Sequence, residues 1–244
     1  MDNYLYGIHP VIEAVESGKK IEKVFLKQGM EGPAFKHLLE LVTAKQIAFQ
    51  FVPAQKLNSL VHGAHQGVVA YMAQIDYVPF EEMVENALKA KKAPLFFLLD
   101  GVSDVRNFGA IARSAECAAV DGIIVPAKGG AAINADAVKA SAGALLRIST
   151  SKTTNLKMAL YYLLENGFQI VAATEKTDRQ IYDIDFTKPT AVVMGSEGKG
   201  ISQPILSLCT ESAKIPMLGS IGSLNVSVAA SIVMYEAVRQ RVQR

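Results

Sequence analysis

Four polar side chains in the C-terminal half of the chain could bind or activate a substrate: Asn107, Arg113, Glu197 and Asn225. Arginine offers a planar set of donors suited to phosphate or carboxylate, and asparagine both donates and accepts hydrogen bonds. All seven arginines lie at or after Arg106, which points to anion chemistry in the second half of the chain. No nucleophile with a paired base is evident, so a phosphate-binding hydrolase is a weaker alternative.

Glu197 lies in a glycine-rich loop that follows four apolar residues, 191–194. An apolar run that ends in such a loop is typical of a buried strand whose end approaches a ligand closely. A phosphate-binding loop would need Lys and Ser or Thr after its last glycine, whereas Ile201 follows Gly200. A dinucleotide fingerprint would need a third glycine at the G-x-G-x-x-G spacing and a position after the first strand of its domain. The loop therefore predicts a different kind of ligand site.

Asn225 ends the hydrophobic, glycine-rich and hydroxyl-rich stretch 215–225 and immediately precedes a long helical pattern. Small residues leave backbone N–H and C=O groups available for the polar edges of a flat ligand. The side chains of Ile215, Met217 and Leu224 can cover the faces of that ligand.

The elements that must position these residues alternate between strand and helix patterns from residue 95 onward. This alternation predicts an α/β domain with a mostly parallel sheet and helices on both faces. The loops after parallel strands meet at one sheet edge, which would bring the polar stretches together; Asn107 could cap the helix after its loop. The predicted strands are 95–99, 122–125, 168–173, 191–194 and 213–216, and the predicted helices are 108–120, 136–146, 156–164 and 226–242.

The preceding residues predict two further segments. Residues 1–75 read as a small α/β unit, and 76–94 read as a linker with a connecting helix before the domain 95–244. The predicted strands of the small unit are 21–26, 47–52 and 67–72; one helix follows Pro10 and closes at Gly18, and another carries Phe35, Leu38, Leu39 and Val42.

The polar turn 62–67 of this small unit contains His62 and His65. No carboxylate or cysteine accompanies them, which favours a structural turn or an RNA contact over a metal site. No metal is expected elsewhere, because the two cysteines lack metal-ligand spacing. The chain lacks a secretory signal and an apolar run of about 18 residues, so we expect a soluble, cytoplasmic protein with no membrane partner. A net charge of +2 means that any nucleic acid must be held by local patches.

Three motifs carry a resemblance to a known family. N-x-G-x-x-x-R at 107–113, M-G-S-E-G at 194–198 and I-P-M…S-L-N-V-S-V-A at 215–229 resemble the motifs of the SpoU/TrmH branch of the SPOUT methyltransferases. Y-G-I-H-P at 6–10 and H-Q-G at 65–67 make the first 75 residues similar to the RNA-binding domain of bacterial 23S rRNA guanosine 2′-O-methyltransferases of the RlmB type. The family often has D-P-x-N in its first motif, where this chain has Asp104-Val-Arg-Asn107.

The resemblance implies a C-terminal trefoil-knotted methyltransferase domain and a small, ribosomal-protein-like α/β RNA-binding domain. It implies that S-adenosylmethionine is bound in the knot, that a homodimer completes the site, and that the activity is methylation of a guanosine ribose 2′-OH in 23S rRNA. By the same resemblance, the catalytic residues are Arg113, Glu197, Asn225 and Asn107; the cofactor contacts are Gly195, Ile215, Leu224, Met217, Ser223 and Ser227; and the RNA contacts are His9, His65 and Arg106.

Two questions stay open at this stage. The family mechanism often makes the arginine a general base, but arginine side chains have a pKa above about 12, so stabilising an alkoxide or a phosphate is physically easier for Arg113. The rival substrate is tRNA, although relatives that act on tRNA often lack the N-terminal domain. A rival of another class is a non-catalytic RNA-binding or ribosome assembly factor with the same fold.

Overall fold

The computed structural model describes residues 4–242. Its contacts divide the chain into two compact units, Met1–Asp76 and Tyr77–Arg244.

The first unit is built on a four-stranded sheet in the order β1-β4-β2-β3. β4 is antiparallel to both β1 and β2, and β2 is parallel to β3. Two helices, α1 and α2, pack on one face, and a short helix, α3, packs on the other. The bounds are β1 (Tyr4–Tyr6), α1 (Ile8–Glu16), β2 (Ile21–Lys27), α2 (Pro33–Ala44), β3 (Phe49–Val52), α3 (Ala54–Leu60) and β4 (Val68–Met72).

The second unit is an α/β structure with a six-stranded sheet in the order β10-β8-β9-β5-β6-β7. Every described pairing in it is parallel, which confirms the predicted fold class. Its strands are β5 (Leu95–Asp100), β6 (Gly122–Pro126), β7 (Thr150–Thr153), β8 (Gln169–Ala173), β9 (Thr190–Gly195) and β10 (Glu211–Ala213). Its helices are α4 (Phe80–Ala90), α5 (Val105–Cys117), α6 (Ala135–Ala140), α7 (Leu156–Glu165), α8 (Gln203–Leu206) and α9 (Val226–Val242), with short 3-10 turns at Ala144–Leu146 and Ile181–Asp183.

Strand β5 shows why this sheet needs helices on both of its faces. Its apolar run is fully buried, and successive side chains alternate between the faces. Phe96 and Leu98 join a core cluster with residues of α4 and α7. Phe97 and Leu99 point to the opposite side, where α5 packs against α6 and α9.

Helix α4 belongs to the second unit. Phe80, Met83 and Val84 are buried in the same cluster as β5, so the segment predicted as a connector supplies part of this core. The two compact units divide at Asp76, before this helix begins.

The start of α5 differs from the sequence expectation. The helix begins at Val105, because the Asp104 carboxylate accepts hydrogen bonds from the backbone N–H groups of Arg106 and Asn107, both at 2.9 Å. Asp104, and not Asn107, is therefore the cap. The side chain of Asn107 is left available for other contacts.

Other boundaries were also wrong. The predicted helix 136–146 ends early, because Ala142 and Gly143 have φ values of 50° and 83°, in the left-handed region that terminates a right-handed helix. The predicted strand 213–216 is displaced to Glu211–Ala213. Four short elements were not predicted from the sequence: β1, α3, β7 and α8.

Over residues 4–242, none of the helices has the length and apolar character that a membrane crossing requires.

Candidate active site

Two of the polar loops leave neighbouring parallel strands at the same level. In the register of β5 and β9, Asp100 is paired with Gly195, so the loop before α5 and the loop 196–200 start side by side. The Asp100 carboxylate also accepts a hydrogen bond from the backbone N–H of Ser202 at 2.7 Å, which ties the far end of the second loop back to β5.

Three of the predicted catalytic side chains form one hydrogen-bonded cluster. The amide of Asn107 donates to Glu197 Oε1 at 2.8 Å, and the amide of Asn225 donates to the same oxygen at 3.1 Å and to Asn107 Oδ1 at 3.0 Å. The three residues come from the start of α5, the loop after β9 and the start of α9. All three are at least partly exposed, so the cluster can be reached by a ligand.

Asn225 also fixes the start of α9. Its Oδ1 accepts hydrogen bonds from the backbone N–H and the hydroxyl of Ser227, at 2.9 and 2.6 Å. One amide therefore caps a helix with its oxygen and bonds a carboxylate with its nitrogen. Ser227, predicted as a cofactor contact, is engaged in this cap and is not among the residues that line the cavity described below.

The loop after β9 folds back on itself at Gly195. Ser196 and Gly200 exchange two backbone hydrogen bonds of 3.1 and 2.9 Å, and Gly198 and Gly200 have positive φ values. A Cβ atom at Gly195 would lie 2.2 Å from the carbonyl carbon of Gly200. The close approach inferred from the sequence is therefore between two arms of the loop.

A cavity of about 610 Å³ lies against this loop, within the range of small-molecule sites. Apolar side chains provide part of its wall, and the glycine-containing loops leave peptide N–H and C=O groups for polar contacts. These residues fit an elongated ligand with both apolar and charged groups. Five of the six predicted cofactor residues line the cavity: Gly195, Ile215, Met217, Ser223 and Leu224.

The sequence analysis missed one wall of the cavity, formed by residues 174–176 and Lys214. These residues follow β8 and β10, whose carboxyl ends lie at the same sheet edge. The rule that loops after parallel strands meet at one sheet edge could have identified them if it had been applied to β8. Their polar, glycine-free sequence, however, resembles an ordinary loop.

Arg113 is not part of the hydrogen-bonded cluster. It lies in α5 about 9 Å along the axis from Asn107 and roughly 120° around it. Its side chain is exposed and makes no hydrogen bond or ion pair with any residue in the range 4–242. Within one chain, Glu197 and Asn225 bond to Asn107 and not to Arg113.

The predicted RNA contacts lie in both units. His9 is exposed in the first turn of α1, and Gln66 Oε1 accepts a 3.4 Å hydrogen bond from the backbone of Ile8, beside it. The ring of His65 contacts Asn58 at 2.8 Å and accepts the backbone N–H of Gly67 at 3.0 Å, so it supports its own loop. In the second unit, Arg106 is exposed in the first turn of α5.

Metal binding and catalysis by a cysteine nucleophile find little support among the described residues. Within residues 4–242, no group of three or more His, Cys, Asp and Glu side chains could hold a metal ion. Burial, and to a smaller extent the charge of Asp100, together raise the pKa of the Cys209 thiol to about 11, which makes this thiol a poor nucleophile near neutral pH.

Comparisons with known proteins agree with this geometry. Residues 94–235 match the model of the SpoU rRNA Methylase family, and residues 4–78 match the model for RNA 2′-O ribose methyltransferase substrate binding. A TrmH family tRNA/rRNA methyltransferase of Staphylococcus epidermidis is 36% identical over 243 residues, covering 99% of this chain and 97% of its own. Its counterpart in Bacillus subtilis, YacO, is 34% identical, covering 98% and 96%.

Two solved structures extend the comparison. The SpoU methyltransferase AviRb from Streptomyces viridochromogenes, in complex with the cofactor AdoMet, is 26% identical with a TM-score of 0.62, covering 99% of this chain and 91% of its own. The TrmH/SpoU tRNA modifying enzyme of A. aeolicus is 31% identical with a TM-score of 0.56, but covers 67% of this chain and 85% of its own.

Proposed function

Since the chain belongs to the SpoU rRNA methylase family of RNA 2′-O-methyltransferases, we propose that it methylates the ribose 2′-OH of a guanosine in 23S rRNA, in the cytoplasm. The observation that carries this proposal is the convergence of Asn107, Glu197 and Asn225 beside a cavity of suitable size. The first unit favours rRNA over tRNA. It matches a substrate-binding model, whereas the tRNA modifying relative covers only two thirds of this chain.

The cofactor of the family is S-adenosylmethionine, and the cavity fits it. Ile215, Met217 and Leu224 would cover the faces of the adenine, while the backbone at Gly195 and Ser223 would bind its polar groups. When bound, this cofactor supplies a methyl group on a positively charged sulfur. The second oxygen of Glu197, Oε2, makes no hydrogen bond with the described residues, so it can accept one from the RNA ribose.

A ribose hydroxyl is a poor nucleophile, so the protein must orient it and stabilise the negative charge that develops on the 2′-oxygen. We assign the charge stabilisation to Arg113 and the orientation to the hydrogen-bonded cluster. A rigid carboxylate held by two amides can position a hydroxyl without moving during the reaction.

In the proposal, Arg113 of one chain reaches the site of a second chain through a homodimer. Its side chain has no polar partner among residues 4–242 of its own chain, and exposed apolar side chains lie on nearby elements: Val228 and Tyr235 of α9 and Leu146. In the proposal, these side chains belong to the surface that the second chain covers. Arg113 of one subunit would then serve the cavity of the other. The trefoil knot implied by the resemblance belongs to the same proposal.

Substitution of Arg113 tests the assignment. The Arg113→Ala variant should lose nearly all methyl transfer from labelled S-adenosylmethionine to rRNA, because the developing charge loses its cation. It should keep cofactor binding close to wild type in calorimetry, because Arg113 does not line the cavity. Turnover retained in this variant would contradict the assignment. An active Arg113→Lys variant would favour a simple electrostatic role.

A second candidate substrate is tRNA, because the names of the similar Staphylococcus and Bacillus proteins include both tRNA and rRNA. The same assay with purified tRNA in place of rRNA separates the two. Faster methylation of tRNA would reverse the preference.

A further inference from the structure

We propose that the sheet face of the first unit on the side of α3 binds unpaired nucleotides of the RNA substrate. This inference rests on the proposed function, because it names where a single-stranded part of that substrate is held.

The two faces of this sheet are covered unequally. On one face, α1 and α2 pack over Val24, Leu26 and Ala70. On the other face, the seven-residue α3 packs over Val52 and Val69, near the end where β3 finishes. Side chains on this second face that lie beyond α3 stay partly or fully exposed.

Aromatic rings form a row across this face. The strand register pairs Tyr4 with Tyr71 and Tyr71 with Lys23, across β1, β4 and β2. The rings of Tyr4 and Tyr71 have centroids 5.1 Å apart and are tilted by 54°. In the next row, Phe25 is paired with Gln50. Aromatic side chains on adjacent strands of a sheet provide surfaces on which successive bases can stack.

A cation and a hydrogen-bonding amide accompany the rings. The ammonium of Lys23 lies 5.2 Å from the centroid of the Phe25 ring and donates to Gln50 Oε1 at 2.8 Å. Lys19 and Lys20 precede β2 at the same end, and Lys20 pairs with Asp76. Lys19, Lys20 and Lys23 outnumber the nearby carboxylates of Glu22 and Asp76, so the local charge is slightly positive, which suits a phosphate backbone, and the amide of Gln50 can bond the edge of a base.

The chemistry favours single-stranded RNA over other occupants. An A-form duplex keeps its bases stacked inside and presents mainly phosphates and 2′-hydroxyls, so it cannot use aromatic rings on a sheet. A second copy of this face would set its lysines against the same lysines, which is unfavourable.

A fluorescence experiment on the full chain tests the face directly. The sequence contains no Trp, so Tyr71→Trp introduces one reporter on this face. Phe51→Trp is the matched control, because Phe51 is 43% exposed but is paired with Leu26 and lies on the opposite face. A single-stranded oligoribonucleotide should quench the fluorescence of the Tyr71→Trp protein, and the same sequence in a duplex should not. The control protein should respond to neither.

Three outcomes would overturn the inference. They are equal quenching in both proteins, no quenching while the oligonucleotide still binds, and a spectral change that depends on protein concentration without RNA. The last result would assign the face to a second copy of the chain.

Kinetics separate this inference from the proposed function. Lys23→Gln and Tyr71→Ile should each raise the KM for RNA and leave kcat at saturating RNA unchanged. For Tyr71→Ile, the loss of stacking should raise the KM by roughly 5- to 100-fold. Lys23 is partly exposed and belongs to neither buried core cluster of this unit, so Lys23→Gln should fold and remains informative if Tyr71→Ile misfolds. An unchanged KM in the folded variants overturns the face but leaves methyl transfer standing. Absence of methyl transfer in the unsubstituted enzyme would overturn the proposed function instead.

Discussion

At the residue scale, the hydrogen-bonded cluster explains why its three members have their particular side chains. Glu197 supplies one oxygen that accepts two amide N–H groups, and each amide donates to it with its nitrogen while its oxygen accepts another hydrogen bond. Asn225 uses both ends of its amide, one for Glu197 and one for the start of α9. A carboxylate or a hydroxyl at this position could not fill both roles in the same way.

The Asn225→Asp variant should lose methyl transfer by on the order of 10²-fold, because a second carboxylate repels Glu197 and displaces it. The helix cap should survive, since the remaining oxygen still accepts the N–H of Ser227. The assay is the initial rate with saturating cofactor and RNA. Asn155→Asp is the matched control, because Asn155 caps α7 in the same manner but its amide makes no hydrogen bond to a carboxylate within residues 4–242. Equal activity in the two variants would show that the cluster does not position the substrate.

At the element scale, the loop after β9 depends on contacts within itself. The Gly195→Ala variant should bind S-adenosylmethionine at least about tenfold more weakly, because a Cβ atom would collide with the backbone at Gly200 and open the cavity wall. Isothermal titration calorimetry measures this effect. Gly219→Ala is the control, because no atom lies within 4 Å of the added Cβ. Normal affinity in Gly195→Ala would mean that the wall is not required for binding.

The end of α9 is held by a buried carboxylate. Arg239 donates to both oxygens of Glu236 at 2.8 Å and lowers the pKa of that carboxyl, while Gln240 links Glu236 to the backbone of Ile184. A lowered pKa means that the stabilisation is present above the ordinary value of about 4.3 and is lost as the pH falls through the lowered pKa.

The Glu236→Gln variant should therefore be less stable than wild type by about 1–2 kcal/mol at pH 7, with a difference that shrinks as the pH falls below about 4.3 and through the lowered pKa of Glu236. The expected loss of stability is modest because the Arg239 side chain is half exposed. Urea denaturation at several pH values measures it. A difference that does not change with pH would refute the ion-pair explanation.

The sequence could predict the elements whose patterns are long and apolar, and the residues carried by the family motifs. The buried run of β5 and the stripe of α4 are examples, since continuous burial or a helical period leaves a strong signal. It could not predict elements defined by tertiary context. All four residues of β7 are polar, and the segment is a strand because β6 pairs with it. Likewise, the placement of Arg113 away from Glu197 follows from helix geometry once the true start of α5 is known.

At the scale of the whole molecule, the site is proposed to form between two chains, and mixed dimers can test this. Chains with Arg113→Ala and chains with Glu197→Ala should each be inactive alone. If they exchange subunits at random, half of the dimers would be mixed, and each mixed dimer would contain one intact site out of two. The mixture should therefore regain about a quarter of wild-type activity. Methyl transfer by the mixture is compared with each variant alone. No recovery, despite exchange verified by differently tagged chains, would place Arg113 and Glu197 in the same chain's site.

Position-resolved mapping of ribose methylation tests whether the protein methylates a guanosine ribose in 23S rRNA. Ribosomal RNA from cells without this gene would be mapped before and after incubation with the purified protein and S-adenosylmethionine. We expect one guanosine in 23S rRNA that lacks the 2′-O-methyl group in these cells and gains it from the wild-type protein but not from Arg113→Ala. An unchanged 23S rRNA map, with methylation gained in tRNA instead, would contradict this expectation.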